Sequence, residues 1–145
     1  MIEIYTDGSY KPRTNQGGYG CVILIDGIVK NILQKGFINT TNNRQELLAV
    51  LNALKFFKTP QEIKIYSDSN YVIDNIKYIE SWINNTKDKK NIDIWKDIYK
   101  LINFHTVEFI WIKGHSKSKY NELADLYAHI SSIVLNPEID IFYGK

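Results

Sequence analysis

The chain has 145 residues, 44% of them hydrophobic and 23% charged, with a formal net charge of +2. That size suits one domain around a single core, and the composition excludes disordered, collagen-like and disulfide-framework classes. The lone Cys21 permits no internal disulfide and fits a reducing compartment. No apolar run is long enough to span a bilayer, and the N-terminus lacks a signal peptide's basic head and apolar stretch, so a cytoplasmic protein without a membrane partner is expected.

Ile2, Ile4 and Thr6 alternate with Glu3, Tyr5 and Asp7, the period of a strand that Gly8 ends. Residues 10–18 are rich in turn formers and read as a loop. Residues 19–25 are mostly apolar, Asp26-Gly27 is a hairpin signal, and residues 28–38 return as a third strand. Thr40, Thr41, Asn42 and Asn43 offer N-caps for a helix with apolar positions at Leu47, Leu48, Val50, Leu51, Leu54 and Phe57, closed by Thr59-Pro60. Residues 63–67 form the fourth strand, ending at Asp68-Ser69-Asn70. Helical stretches follow over residues 71–83, in two pieces, and 92–102, separated by a polar segment. Residues 107–112 form the fifth strand, 113–120 a basic loop, and 121–134 a final helix.

This order predicts an α/β fold with a five-stranded mixed sheet, three antiparallel strands plus two parallel, and helices on both faces. The domain is expected within residues 1–135, with residues 136–145 as a short C-terminal tail. Cys21, flanked by Gly20 and Val22, is expected as a buried structural thiol. Ligands of such sheets gather at the carboxyl ends of strands. Asp7 and Asp68 each follow a strand, and would meet if their strands lie side by side. Glu46 falls in the first turns of the first long helix, where it suits either a capping arrangement with Asn43 or a shared site. Asp125 interrupts the final helix, where Asp is mildly unfavourable. Four converging acids would raise one another's pKa values, and hard divalent cations such as Mg²⁺ or Mn²⁺ would relieve the repulsion. Two such ions roughly 3.5–4 Å apart support phosphodiester cleavage.

Four blocks carry a family resemblance: Thr6-Asp7-Gly8-Ser9; Thr40-Thr41-Asn42-Asn43-Arg44-Gln45-Glu46-Leu47; Ser67-Asp68-Ser69-Asn70-Tyr71-Val72; and Trp111-Ile112-Lys113-Gly114-His115, followed by Asn121-Glu122 and Asp125. In this order they resemble the successive signatures of the type 1 ribonucleases H, over residues 2–132. The resemblance implies a monomeric endonuclease that cuts the RNA strand of RNA–DNA hybrids with little sequence preference, leaving 5′-phosphate and 3′-hydroxyl ends. It implies that Asp7, Glu46, Asp68 and Asp125 hold two Mg²⁺ ions, with Mn²⁺ as a substitute, and that His115 aids proton transfer or product departure. It places Gly8, Ser9, Asn42, Asn43, Asn70 and Trp82 against nucleic acid, the asparagines and Glu46 as readers of the 2′-hydroxyl. Thr41 and Asn91 match positions that grip a phosphate of the DNA strand.

Three features depart from the family pattern. Pro12 and Arg13 stand where polar minor-groove contacts are expected. The segment between Tyr71 and Trp95 is short, leaving Lys87, Lys89 and Lys90 in place of a longer basic protrusion. The loop after His115 reads Ser116-Lys117-Ser118-Lys119, where a glycine is usual. The same fold serves integrases, transposases and junction resolvases, and a non-catalytic hybrid-binding module is a third reading. Cleavage of duplex DNA rather than hybrid separates the first of these, and the complete acid set weighs against the last.

Overall fold

The computed structural model describes residues 1–85, 87–114 and 118–140. Strands β1 (Ile2–Lys11), β2 (Gln16–Ile25) and β3 (Ile28–Ile38) form an antiparallel meander. Helix α1 (Asn42–Lys55) leads to β4 (Glu62–Ser67), which runs parallel to β1. Helices α2 (Asn70–Lys77), α3 (Ile79–Trp82) and α4 (Ile92–Phe104) precede β5 (Thr106–Trp111), parallel to β4. Helix α5 (Lys119–Ser131) and a two-residue strand β6 (Glu138–Ile139) complete the chain order, and the sheet order is β5-β4-β1-β2-β3-β6.

The expected mixed sheet and helix order are present, with six strands among the described residues instead of five. The sixth comes from the region expected as a tail: Glu138 and Ile139 pair in parallel with Phe37 and Ile38 of β3. The loop expected over residues 10–18 is also shorter, because β1 and β2 stay paired out to Lys11 and Gln16. Gly17 and Gly18 are strand residues. Their missing side chains make room, since a β-carbon at Gly18 would lie 2.5 Å from the Ser131 β-carbon on α5. Residues 12–15 alone make the turn, closed by Asn15 at φ 59° and by a 2.6 Å bond from the Tyr10 hydroxyl to Asn15 Oδ1. The Asp26-Gly27 signal is a two-residue turn with both φ angles positive, 52° and 78°, the form that matches strand twist.

Alternation along the strands separates two cores. Ile4, Cys21, Ile23, Ile63 and Ile65 point to one face, where Leu47, Val50 and Leu54 of α1 and Trp95 and Ile98 of α4 bury them. Val22 and Leu24 point to the other face and meet Ala124 of α5, with Tyr5, Tyr120 and Leu123 packed alongside. Cys21 is the buried structural thiol expected, its Sγ 3.1 Å from the Ala49 carbonyl oxygen. Helix α5 ends at Ser131, earlier than expected, and the Ser132 hydroxyl donates to the His129 carbonyl at 2.7 Å. Among the described residues no helix is long and apolar enough to cross a membrane.

Candidate active site

Parallel pairing of β1 with β4 sets Tyr5 against Tyr66 and ends with Thr6 against Ser67, so Asp68 leaves β4 beside Asp7. Asp7 itself stays inside β1, which the pairing with β2 carries on past Gly8, where the strand was expected to end. Asp68 is fixed by the turn that follows it: the Ser67 hydroxyl accepts from the Ser69 N–H at 3.1 Å, and Ser69 caps α2 by accepting from the Val72 N–H at 3.2 Å. Thr41, with extended backbone, caps α1 by accepting from the Arg44 N–H at 3.1 Å. Glu46 therefore plays no part in capping. It lies one turn further in and is buried beside Asp7 and Asp68.

One carboxylate oxygen from each of Asp7, Glu46 and Asp68 lies within 4.8 Å of the others. Asp125, one turn beyond Asn121 on α5, is exposed and lines the same cavity of about 230 Å³, together with Gly8, Asn121 and Glu122. The four predicted acids thus face one cavity. Sequence reasoning assigned no role to the wall supplied by Asn121 and Glu122. The buried side of α5, formed by Asn121, Ala124 and Ala128, is what turns those two residues and Asp125 toward the cavity.

The electrostatics are those of acids short of cations. Burial, then the Asp68 charge, then Asp125, push the Asp7 carboxyl up to about 8, although the Gly8 N–H donates to its Oδ1 at 2.9 Å. Burial first, then the charges of Asp7 and Asp68, hold Glu46 well above the usual carboxylate range. Among the described residues no lysine or arginine pairs with Asp7 or Glu46. Glu46 Oε1 is buried without a hydrogen-bond partner. An unsatisfied carboxylate oxygen among two more acids, with no cysteine or histidine in the cluster, suits a hard divalent cation.

The predicted nucleic-acid residues are spread over several elements, and of them Gly8 lines this cavity. Ser9, one residue on in β1, approaches Ser132 at 3.5 Å between hydroxyls. Asn42 and Asn43 are exposed in the first turn of α1, and Asn70 is exposed at the start of α2. Asn91 precedes α4 with φ 62° and is tied by its side chain to Arg44 and Tyr71. Trp82 is half-buried. It meets Trp95 edge-on at 5.5 Å between ring centroids, and the Lys89 ammonium stands 4.2 Å over it. Gly114, after β5, lies against Asp68, where an added β-carbon would be 3.5 Å from Oδ2. His115 lies outside the described residues.

Comparison with known proteins agrees with this geometry. The RNase H family profile matches residues 1–132. The Ribonuclease H of Ehrlichia ruminantium (strain Gardel) is 41% identical over 134 residues, covering 88% of this chain and 91% of that protein. The Ribonuclease H of Campylobacter jejuni (strain 81-176) is 38% identical over 144 residues, covering 96% of each. Among solved structures, the crystal structure of LC9-RNase H1, a type 1 RNase H with the type 2 active-site motif, superposes with a TM-score of 0.74 at 24% identity. That match covers 90% of this chain and 71% of the other, and speaks for the fold. The Prototype Foamy Virus Protease-Reverse Transcriptase superposes with a TM-score of 0.76 at 27% identity, over 93% of this chain and 21% of that one. With the profile spanning nearly the whole chain and relatives matched almost end to end, this protein belongs to the RNase H family.

Proposed function

We propose that this chain is an endoribonuclease that hydrolyses the RNA strand of RNA–DNA hybrids, leaving 5′-phosphate and 3′-hydroxyl ends with little dependence on sequence. The observation that carries this reading is the meeting of Asp7, Glu46 and Asp68 within 4.8 Å at the carboxyl-end rim of a family member's sheet. Asp7, Glu46, Asp68 and Asp125 are the residues that would hold two Mg²⁺ ions, with Mn²⁺ able to replace them. Bound there, such ions supply Lewis-acid polarisation of a scissile phosphate and favour a nucleophilic water at neutral pH.

The chain's own residues set the stage for that chemistry. The Gly8 N–H holds one oxygen of Asp7 and so aims the carboxylate into the cavity. The rigid cap at Ser69 does the same for Asp68, and burial keeps Glu46 from relaxing into solvent. Exposed Asn42, Asn43 and Asn70 stand at the starts of the helices, shortly before Glu46 and after Asp68 in the chain, where amide groups can read a 2′-hydroxyl. Gly8 and Ser9 continue that surface along β1, and Trp82 with Lys89 offers an outlying contact. Thr41 and Asn91 are assigned to a phosphate of the DNA strand. Thr41 spends its acceptor on the Arg44 N–H and keeps its hydroxyl proton, while Asn91 keeps one amide proton beyond the one given to Tyr71. His115 takes the proton-transfer or product-departure role that the family resemblance implies. The catalytic domain, expected within residues 1–135, extends in this reading to Asp140, since β6 pairs with β3 and Asp140 is buried against Arg44, and it is proposed to act as a monomer in the cytoplasm.

A strand-labelled cleavage assay tests this, using hybrid, duplex DNA, duplex RNA and each single strand, with and without Mg²⁺. Only the RNA strand of the hybrid is expected to be cut, and only with the metal present. Cleavage of duplex DNA in preference to hybrid, or cleavage that survives chelation, overturns the reading.

A further inference from the structure

We infer that Asp140, directly after β6, is a positioning residue for hybrid binding, holding Asn91 in place through the guanidinium of Arg44. The inference rests on the proposed role of Thr41 and Asn91 at a DNA-strand phosphate and adds the C-terminal segment to that apparatus.

Arg44 lies on α1 with its side chain only 3% exposed. Its Nε donates to Asp140 Oδ2 at 2.7 Å, and Nη2 donates to Asp140 Oδ1 at 2.9 Å and to Asp93 Oδ2 at 2.8 Å. Nη1 donates to Asp93 Oδ1 at 3.0 Å and to Asn91 Oδ1 at 3.2 Å. These bonds engage all the N–H donors a guanidinium has. Arg44 therefore has no donor to spare for a phosphate, in spite of its charge and its place two residues before Glu46. Its work is internal: Asp140 on the Nε–Nη2 edge and Asp93 on the adjoining Nη1–Nη2 edge lock the plane of the guanidinium, and the locked plane presents one N–H to Asn91.

Asn91 is clamped from its other end as well, since Nδ2 donates to the Tyr71 hydroxyl at 3.0 Å and Trp95 Nε1 donates to the same oxygen at 3.1 Å. With both ends of the amide fixed, the remaining proton on Nδ2 has one direction to point. The left-handed backbone of Asn91, φ 62°, adds that its main chain is also held away from the ordinary helical well. Asp140 sits at the far end of this chain of bonds. It is buried, it also accepts from the Thr40 hydroxyl at 2.9 Å, and it is brought to Arg44 by the pairing of Ile139 with Ile38. Neutralising Asp140 removes one of the two walls that fix the guanidinium, and the aim of Asn91 loosens with it.

A purely structural role would staple the C-terminal segment and nothing more, so the test separates the two on the full chain. Asp140→Asn keeps the volume and removes the charge, and Thr40→Val weakens the staple without touching Arg44. Steady-state cleavage is measured below the melting temperature of each variant, on hybrids whose DNA-strand phosphates are replaced one at a time by uncharged methylphosphonates. Asp140→Asn is expected to raise KM about tenfold or more, the lower end of the scale of losing one charge-assisted hydrogen bond, with kcat at saturating hybrid unchanged. Thr40→Val is expected to keep the wild-type KM. The wild type is expected to show one methylphosphonate position that raises KM, and Asp140→Asn to have lost the sensitivity there.

An unchanged KM in Asp140→Asn with a lowered Tm, an equal KM rise in Thr40→Val, or a methylphosphonate penalty that persists in Asp140→Asn each overturns the inference. A wild type that cleaves hybrid yet shows no sensitive phosphate overturns it through the missing subsite. Failure of the wild type to cleave hybrid at all sinks the functional reading beneath it, and that outcome is distinguishable from the others.

Discussion

Gly8 approaches the first turns of α1 so closely that a β-carbon on it would lie 2.5 Å from the Glu46 backbone nitrogen and 2.8 Å from the Gln45 carbonyl carbon. Both neighbours are backbone, and no side chain can swing aside. The glycine is what allows Asp7, one residue earlier, to stand beside Glu46. Gly8→Ala must push β1 and α1 apart, at a cost of about 1–3 kcal/mol from overpacking. Because the displacement falls between two of the clustered acids, activity is expected to fall further than stability. Denaturant melts combined with cleavage rates of the still-folded variant check this; full activity in a stable Gly8→Ala protein contradicts it.

Asp7→Asn separates the catalytic value of the carboxylate from its structural cost. Turnover is expected to fall by more than the roughly 10–100-fold that loss of a mere outer-shell partner causes. Stability of the metal-free protein should move the other way. The Asp7 carboxyl is raised from 3.8 to about 8 in the folded state, so between those limits the native chain binds a proton that the unfolded chain has released. Stability of the wild type therefore falls as pH rises through that window, and the neutral asparagine escapes the penalty. Melts in chelator are expected to show no advantage for Asp7→Asn near pH 3.8, and an advantage that grows until about pH 8. A wild type as stable as the variant at pH 8 counts against the repulsion.

The acids and their strands were legible in the sequence because both depend on local signals. Period-two alternation puts Asp7 on a strand, turn formers after Asp68 mark the end of β4, and helical spacing puts Glu46 near the start of α1, although β1 runs on past Asp7 to Lys11 where Gly8 was expected to end it. The order of elements makes β4 and β5 parallel, while the adjacency of β1 and β4, on which the meeting of Asp7 and Asp68 was conditional, is given by the structure. What escaped depends on contacts between distant segments. Gly17 and Gly18 look like turn residues until α5 is seen to press on the strand at Ser131. Two residues, Glu138 and Ile139, are too short a run to announce a strand, and only the partner edge of β3 makes them one. The bonds from Arg44 to Asp93 and Asp140 span 49 and 96 positions, a pairing that no periodicity encodes. Glu46 was ambiguous for the opposite reason, since its place near a helix start suits capping equally well until Thr41 is seen to do that job.

Divalent cations should act as stabilising ligands before any substrate is present. A cation that binds the folded cluster and not the unfolded chain raises Tm by mass action, about 2.7 kcal/mol at a hundredfold excess over Kd. It must also displace the proton that burial and neighbouring charges keep on Asp7. Apparent affinity is thus expected to rise with pH and to level off above about 8, where Asp7 is already ionised. Thermal shift titrations with Mg²⁺ across pH 6–9 measure both effects, and Glu46→Gln is expected to abolish the shift. A Tm that rises equally in Glu46→Gln places the binding ions elsewhere.

Hybrid affinity in this chain is expected to lean on a small number of lysines. Between α3 and α4 the chain is short, and Lys87 and Lys90 are exposed there, while Lys89 stands over Trp82 with its ammonium 4.2 Å from the ring centroid. A cation held over an aromatic face is positioned more firmly than a free lysine, and an ammonium ordered in this way, two positions before Asn91 in the chain, suits a backbone phosphate. Each phosphate neutralised releases counterions, so the logarithm of the binding constant should fall with the logarithm of salt by about 0.7–0.9 for each contact. Lys89→Ala is expected to reduce that slope by nearly one such unit, and the combined Lys87→Ala/Lys90→Ala variant by at most two. Trp82→Phe tests the platform separately, since it keeps a ring for the cation and loses the 3.4 Å bond from Nε1 to the Asn75 carbonyl. It should leave the slope in place while changing affinity uniformly at all salt concentrations. A flat salt response in the wild type would show that these lysines are a solvated face and that the hybrid is held by neutral contacts alone.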